Sequence, residues 1–232
     1  MSIPPYKIIK TKKLTGSVSI RIKEGEVIVR APFWYPKIAI ENFLEQKKDW
    51  ILKALQKTKL EVDEKDYQEN EKHLYLGKAY PLKIITDNNL IRTRVEKIDE
   101  SLVVFISSMF TEAKKKQEIK DALLRFYLEN AIHYITDKVN YYTQSLGVEY
   151  SKIEIKKVSS IWGSCSGKNV LSFNRKLIMS PEEIIGYVII HEVCHLRERN
   201  HSSRFWGLVF KYDRQYKDHR RWLHNNSSLL TI

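Results

Sequence analysis

Within residues 180–206, SPEEIIGYVIIHEVCHLRERNHSSRFW, two histidines stand four apart, a glutamate follows the first, and a third histidine comes after five intervening residues. On a helix, His191 and His195 lie one above the other on the same face, so two imidazoles can share one metal ion. Glu192 is too far around such a helix to be a natural third ligand. It is well placed to take a proton from a metal-bound water. His201 completes three nitrogens if the chain turns back after the helix. A fourth position then stays open for water, the mark of a catalytic zinc site rather than a structural one.

A helix must hold these residues. Ser180 suits its N-cap and Pro181 its first position, and Glu183 completes a capping box. Ile184, Ile185, Tyr187, Val188, Ile189, Ile190, Val193 and Cys194 make it apolar on nearly every face, so burial on most sides is expected. The bland alternative is a buried helix with incidentally placed histidines. Against it, two His and a Glu inside an apolar helix cost several kcal/mol unless they find partners, and a metal is such a partner. Asn200 tolerates a left-handed conformation and is expected to end the helix and swing His201 back. Cys194, one position before His195, reads as packing. Cys165 is a weaker candidate ligand, since three histidines already satisfy the pattern.

The stretch 161–223 resembles the YgjP-like metallopeptidase family, which is related to the SprT-like proteases of the zincin group. The matching pieces are WGSCS (162–166), SFNRKLIMSP (172–181), YVIIHEVCHL (187–196), NHSSRFW (200–206) and RRWL (220–223). RAP (30–32), the Asp49–Trp50 and Ile51–Leu52 pairs and YLGKAYPL (75–82) fit the family's N-terminal half, so the resemblance covers nearly the whole chain. It implies a zinc-binding fold with His191, His195 and His201 as ligands and Glu192 as base. It further implies a long helix packed beside the metal helix, and a strand above the site that pairs with extended substrate. Trp162, Ser164, Ser172, Asn174 and Arg175, in the segment before the helix, are the substrate-binding candidates. The histidine spacing also matches the metzincins, but Glu198 stands where those have Gly and no Met-turn follows, so that subclass is not carried over.

The chain has 232 residues, enough for one large or two small domains, and 43% of them are hydrophobic. No apolar run reaches the ~20 residues of a membrane span, and residues 1–13 lack a signal peptide's apolar stretch. Two cysteines make no disulfide framework. Cytoplasmic residence, without membrane association, is the default expectation. The net charge of +12 attracts nucleotides, nucleic acid or acidic peptides; a generally Lys-rich surface explains it equally well.

The fold class expected is α+β. Residues 17–23 and 26–32 alternate apolar and polar and are joined at Glu24–Gly25, a hairpin signature. Phe33, Trp34 and Tyr35 follow, favouring core packing over a binding lip. An amphipathic helix is predicted over 38–59 and a charged loop or linker over 60–73. Three strands are predicted over 74–87, 90–99 and 101–108, with turn signals at Gly77 and Asn88–Asn89. A long helix over 112–146 ends at Gly147; it carries His133, more readily a surface residue than a ligand. Strands 152–161 and 170–179 read as a hairpin around WGSCSGKN. Ser202 or Ser203 caps the chain after the site, with Phe205 and Trp206 behind the metal helix. Lys211, Arg214, Lys217, Arg220 and Arg221 give a basic C-terminal face, while His219 and His224 come too late to be first-choice ligands. The domains expected are 1–108, mainly β with one helix, and 109–232, the zincin-like catalytic part.

The function these residues support is a zinc hydrolase, foremost a metallopeptidase on peptides or proteins, with Glu192 as general base. Arg175, Tyr187, His133 and Arg199 are the candidates for stabilising the oxyanion. Three alternatives stay open. A nucleotide (UTP) pyrophosphatase is a label attached to part of the resembled family, although no Gly-rich phosphate loop is present. The others are a nucleic-acid-associated SprT-like protease and a non-catalytic metal-stabilised binding module, which would have no need of Glu192.

Overall fold

A computed structural model describes residues 4–11, 16–23, 26–52, 55, 65–157 and 161–231. The chain forms two compact units, residues 1–64 and 65–232.

In the first unit, β1 (Tyr6–Thr11), β2 (Ser19–Lys23) and β3 (Glu26–Pro32) form a sheet in the order β1-β3-β2. β2 and β3 pair antiparallel, as the alternating pattern requires, whereas β1 runs parallel to β3 on its other side. The predicted turn at Glu24–Gly25 lies outside the described residues. β3 buries Val27, Val29 and Ala31, every second residue, with Ile40 and Leu44 of α1 (Lys37–Gln46) and with Ile51. The predicted 38–59 helix is interrupted at Lys47 (φ −100°, ψ 7°) and resumes over 48–52; 53–54 and 56–59 are not among the described residues. Phe33 and Trp34 are exposed rather than packed.

The second unit starts with β4 (Lys72–Tyr75), β5 (Lys78–Thr86), β6 (Arg94–Ile98) and β7 (Ser101–Ile106), in the order β4-β5-β7-β6. β7, SLVVFI, is paired on both sides and almost wholly buried, which is why it reads as a continuous apolar run. The long helix α2 (Glu112–Leu146) packs on β6 and β7. At its end Gly147 is left-handed (φ 63°), with Gly147 N–H on the Gln144 carbonyl and Val148 N–H on that of Thr143.

The two compact units divide at 64/65. Alternation alone could not assign the 74–108 strands to one half or the other. Packing does: Leu82, Leu102, Val104 and Ile106 share one core with α2 and with the metal helix. The β4–β5 turn also docks on the segment before that helix, through Leu76 N–H to Ile178 O and Gly77 N–H to Met179 O. Gly77 (φ 78°) is required there, because a Cβ would sit 2.7 Å from Pro181 Cα.

A second three-stranded sheet carries β8 (Lys152–Lys156), β9 (Gly163–Cys165) and β10 (Val170–Asn174) in the order β8-β10-β9. The expected 152–161/170–179 hairpin is corrected here. β8 runs parallel to β10, and the short β9 is its antiparallel partner. Residues 175–179 form a 3-10 turn instead of strand, because the Asn174 side chain accepts from Lys176 N–H and ends the ladder. The metal helix α3 (Glu182–Cys194), α4 (Ser203–Tyr212) and α5 (Tyr216–Asn226) complete the unit. Pro181, not Ser180, is the N-cap of α3, and no side chain caps it. Ser180 is fully buried, with its N–H on Leu177 O. No helix among the described residues is long and apolar enough to cross a membrane.

Candidate metal centre

α3 is buried on most sides, as its composition demands, and His191 and His195 emerge one turn apart at its C-terminal end. The helix ends at Cys194, but His195 keeps helical backbone (φ −66°, ψ −17°), so the four-residue stacking survives. Leu196, Arg197 and Glu198 turn back by bonding to Val193 and Cys194 carbonyls. Asn200 does not take the expected left-handed conformation. Its side chain instead accepts from Ser202 N–H, and Ser202 caps α4 by accepting from Phe205 N–H. Those two local bonds bring His201 back over the helix.

The ligand atoms of His191, His195 and His201 all lie within 4.8 Å of one another. The Nε2 atoms of His191 and His201 are 3.1 Å apart, close to the ~3.3 Å edge of a tetrahedron built on 2.0–2.1 Å zinc–nitrogen bonds. His195 turns Nδ1 to the Glu198 carbonyl at 3.0 Å, which leaves Nε2 for a metal. His191 Nδ1 is buried with no protein partner. Beneath the three imidazoles lies the fully buried ring of Phe205, 4.4 Å from His195, 4.8 Å from His201 and 4.9 Å from His191. Trp206 stacks on His201 at 5.6 Å. Burial, then the neighbouring imidazoles, pull the His191 pKa down to about 3, and burial lowers that of His195. Both are therefore neutral at ordinary pH, the form that ligates. Donor type, spacing and protonation fit a zinc ion.

Glu192 is buried, and burial alone pushes its pKa up to about 8. A bound cation beside it would pull that value back down. β9 passes directly over this carboxyl. A Cβ on Gly163 would stand 2.6 Å from Glu192 Cγ and 2.7 Å from Oε1. Gly163 is the site residue that sequence reasoning missed. It was hidden in the Gly- and Ser-rich WGSCSGKN turn; a glycine within a strand marks close approach of another group. Trp162 O accepts from Asn174 N–H and Val170 O from Ser166 N–H. By the alternation of an antiparallel ladder, the main-chain groups of Gly163 and Cys165 then face the unpaired edge of β9.

The other candidates lie as follows. Trp162 and Ser164 are half-buried, at the start of β9 and within it. Ser172 and Asn174 are buried in β10, the first bonded to Glu154 and the second to Lys176 N–H and Ile161 O. The structure does not bring these two to the cleft surface. Arg175 is half-buried in the 3-10 turn, its Nε without a partner. Arg199 is committed to Cys165, Ser166 and Asn169, and His133 is exposed on α2. Tyr187, one turn before His191 and 5.9 Å from it, remains beside the imidazoles. Cys165 is not in the three-histidine cluster, and Cys194 is fully buried, its thiol pushed up to about 12. The basic residues are spread: 13 of the 40 Lys and Arg, with eight of the 28 acids, belong to residues 1–64.

A family model described as YgjP-like, metallopeptidase domain, matches residues 16–226. The chain is similar to the UTP pyrophosphatase of Escherichia coli strain K12, 23% identical over 49% of this chain and 65% of that protein. It thus spans just under two thirds of that relative's length. Among solved structures it is similar to the metallopeptidase zymogen abylysin of Pyrococcus abyssi, with a TM-score of 0.35 and 23% identity over 39% of this chain and 93% of that one. The metallopeptidase zymogen jannalysin of Methanocaldococcus jannaschii gives a TM-score of 0.36 and 26% identity over 39% and 94%.

Proposed function

The chain belongs to the YgjP-like metallopeptidase family, and from that premise we propose that it is a zinc-dependent hydrolase of peptide bonds, with His191, His195 and His201 as ligands and Glu192 as general base. The observation that carries this reading is the convergence of three imidazoles beside a buried carboxyl. Zinc, when bound there, supplies a water of lowered pKa and polarises the scissile carbonyl. Glu192 takes the proton and later hands it to the leaving amine. Gly163 leaves room for its carboxyl. The open edge of β9 receives extended substrate by main-chain hydrogen bonds, which gives little sequence selectivity. Contacts between α2 and the α3 segment support the zincin reading: Tyr134 donates to Glu182 at 2.7 Å, and Arg197, just past α3, to Leu146 O at 2.7 Å.

A second reading, nucleotide pyrophosphate hydrolysis, is favoured by the E. coli relative. The even spread of basic charge over both units supports general surface composition over a polyanion track. Zinc-loaded protein assayed with denatured casein, UTP and single-stranded DNA separates the readings. Casein cleavage that depends on Glu192 is the expected result; UTP cleavage without casein cleavage would replace the first reading by the second.

A further inference from the structure

α5 packs against α3 beside the three imidazoles. Tyr216 stacks on Trp206 at 5.1 Å, and the His219 ring is 6.5 Å from that of Tyr187. Arg220 lies with its guanidinium 5.6 Å from the centre of the Trp206 ring. Trp206 in turn is stacked on His201 and stands 5.7 Å from His191. Arg221, the next residue, points away and pairs with Asp218 at 3.0 Å. The Arg220 guanidinium makes no ion pair or hydrogen bond among the described residues. Its charge reaches the centre, where it helps keep His191 neutral and opposes the rise in the Tyr187 pKa.

We propose that Arg220 is a specificity residue of this cleft and binds a carboxylate of the peptide substrate beside the metal site. A guanidinium offers two parallel N–H donors to a carboxylate, a stronger and more directional contact than a neutral hydrogen bond. A cation–π contact with Trp206 favours this placement of the side chain, so less of its freedom is lost on binding. One guanidinium matches one carboxylate in charge and in its pair of N–H donors. The inference rests on the reading of the three-imidazole cleft as a peptidase site.

The test uses a short peptide with three glutamates and a free C-terminus, and its all-glutamine, C-terminally amidated counterpart. Calorimetric titration into zinc-free protein reads binding without turnover. Wild type should bind the acidic peptide about tenfold or more tightly than the neutral one. Arg220→Gln should bring the ratio close to one and Arg220→Lys should leave it between, while Arg221→Gln keeps the wild-type ratio. Circular dichroism confirms folding, and Arg220→Lys serves if the glutamine variant does not fold. An unchanged ratio in the Arg220 variants, or no preference in wild type, overturns the proposal. So does UTP binding more tightly than the acidic peptide and losing that affinity with Arg220→Gln, which would make phosphate the ligand. Hydrolysis by zinc-loaded protein is read separately. Absence of any peptide cleavage sinks the peptidase reading and leaves the binding result standing; cleavage indifferent to Arg220 does the opposite.

Discussion

Glu192 fits beneath β9 only because residue 163 has no side chain. Gly163→Ala should therefore force the strand or the carboxyl to move, with the histidines untouched. We expect zinc content to be retained and turnover to fall by about tenfold or more, since sub-ångström placement governs proton transfer. Wild-type turnover in that variant would show that the close approach has no catalytic importance. The histidines carry the complementary expectation. His195→Ala removes one of three ligands and should strongly reduce zinc measured by elemental analysis; full occupancy would sink the ligand assignment. His195 is the informative choice because its Nδ1 is already held by the Glu198 carbonyl, so its loss removes an oriented ligand.

Among the elements, α3 was legible because its residue types are extreme: an apolar helix broken by His, Glu and His admits few readings. The long α2 and its stop at Gly147 were equally plain, since a left-handed C-terminal residue favours glycine. What failed was pairing. β8 and β10 showed strand character, but β9 was hidden in the WGSCSGKN turn, and adjacency in sequence suggested a hairpin where β8 runs parallel to β10. Alternation reports which face is buried and is silent on the partner. Alternation was equally silent on the docking of the Leu76–Gly77 turn on residues 178–181, which ties the β4–β7 sheet to the segment before α3. That docking is testable. Gly77→Ala places a methyl 2.7 Å from Pro181 Cα in a backbone conformation (φ 78°) that alanine disfavours. A loss of about 1–3 kcal/mol is expected, read as a lower melting temperature; an unchanged one would mean that the turn is not held against Pro181.

At the scale of the molecule, acid sensitivity has a definite sign. His73 is 1% exposed, and burial, aided by Lys65 and opposed by Glu71, lowers its pKa from 6.5 to about 4. The unfolded chain thus binds a proton that the folded chain refuses between those values. Stability is full above about pH 6.5 and falls as pH drops towards 4, by up to about 3 kcal/mol from this residue. His73→Phe keeps a ring against Tyr67, 6.0 Å away, and should flatten the decline in melting temperature between pH 7 and 5 in zinc-saturated protein. An identical decline in both proteins would remove His73 from the account. The central claim is tested most directly by turnover per bound zinc on casein, for wild type and Glu192→Gln from parallel preparations. We expect equal zinc content and melting temperature, with turnover down by about 10²–10⁴-fold. Unchanged turnover at full zinc occupancy would contradict the assignment of Glu192 as the base.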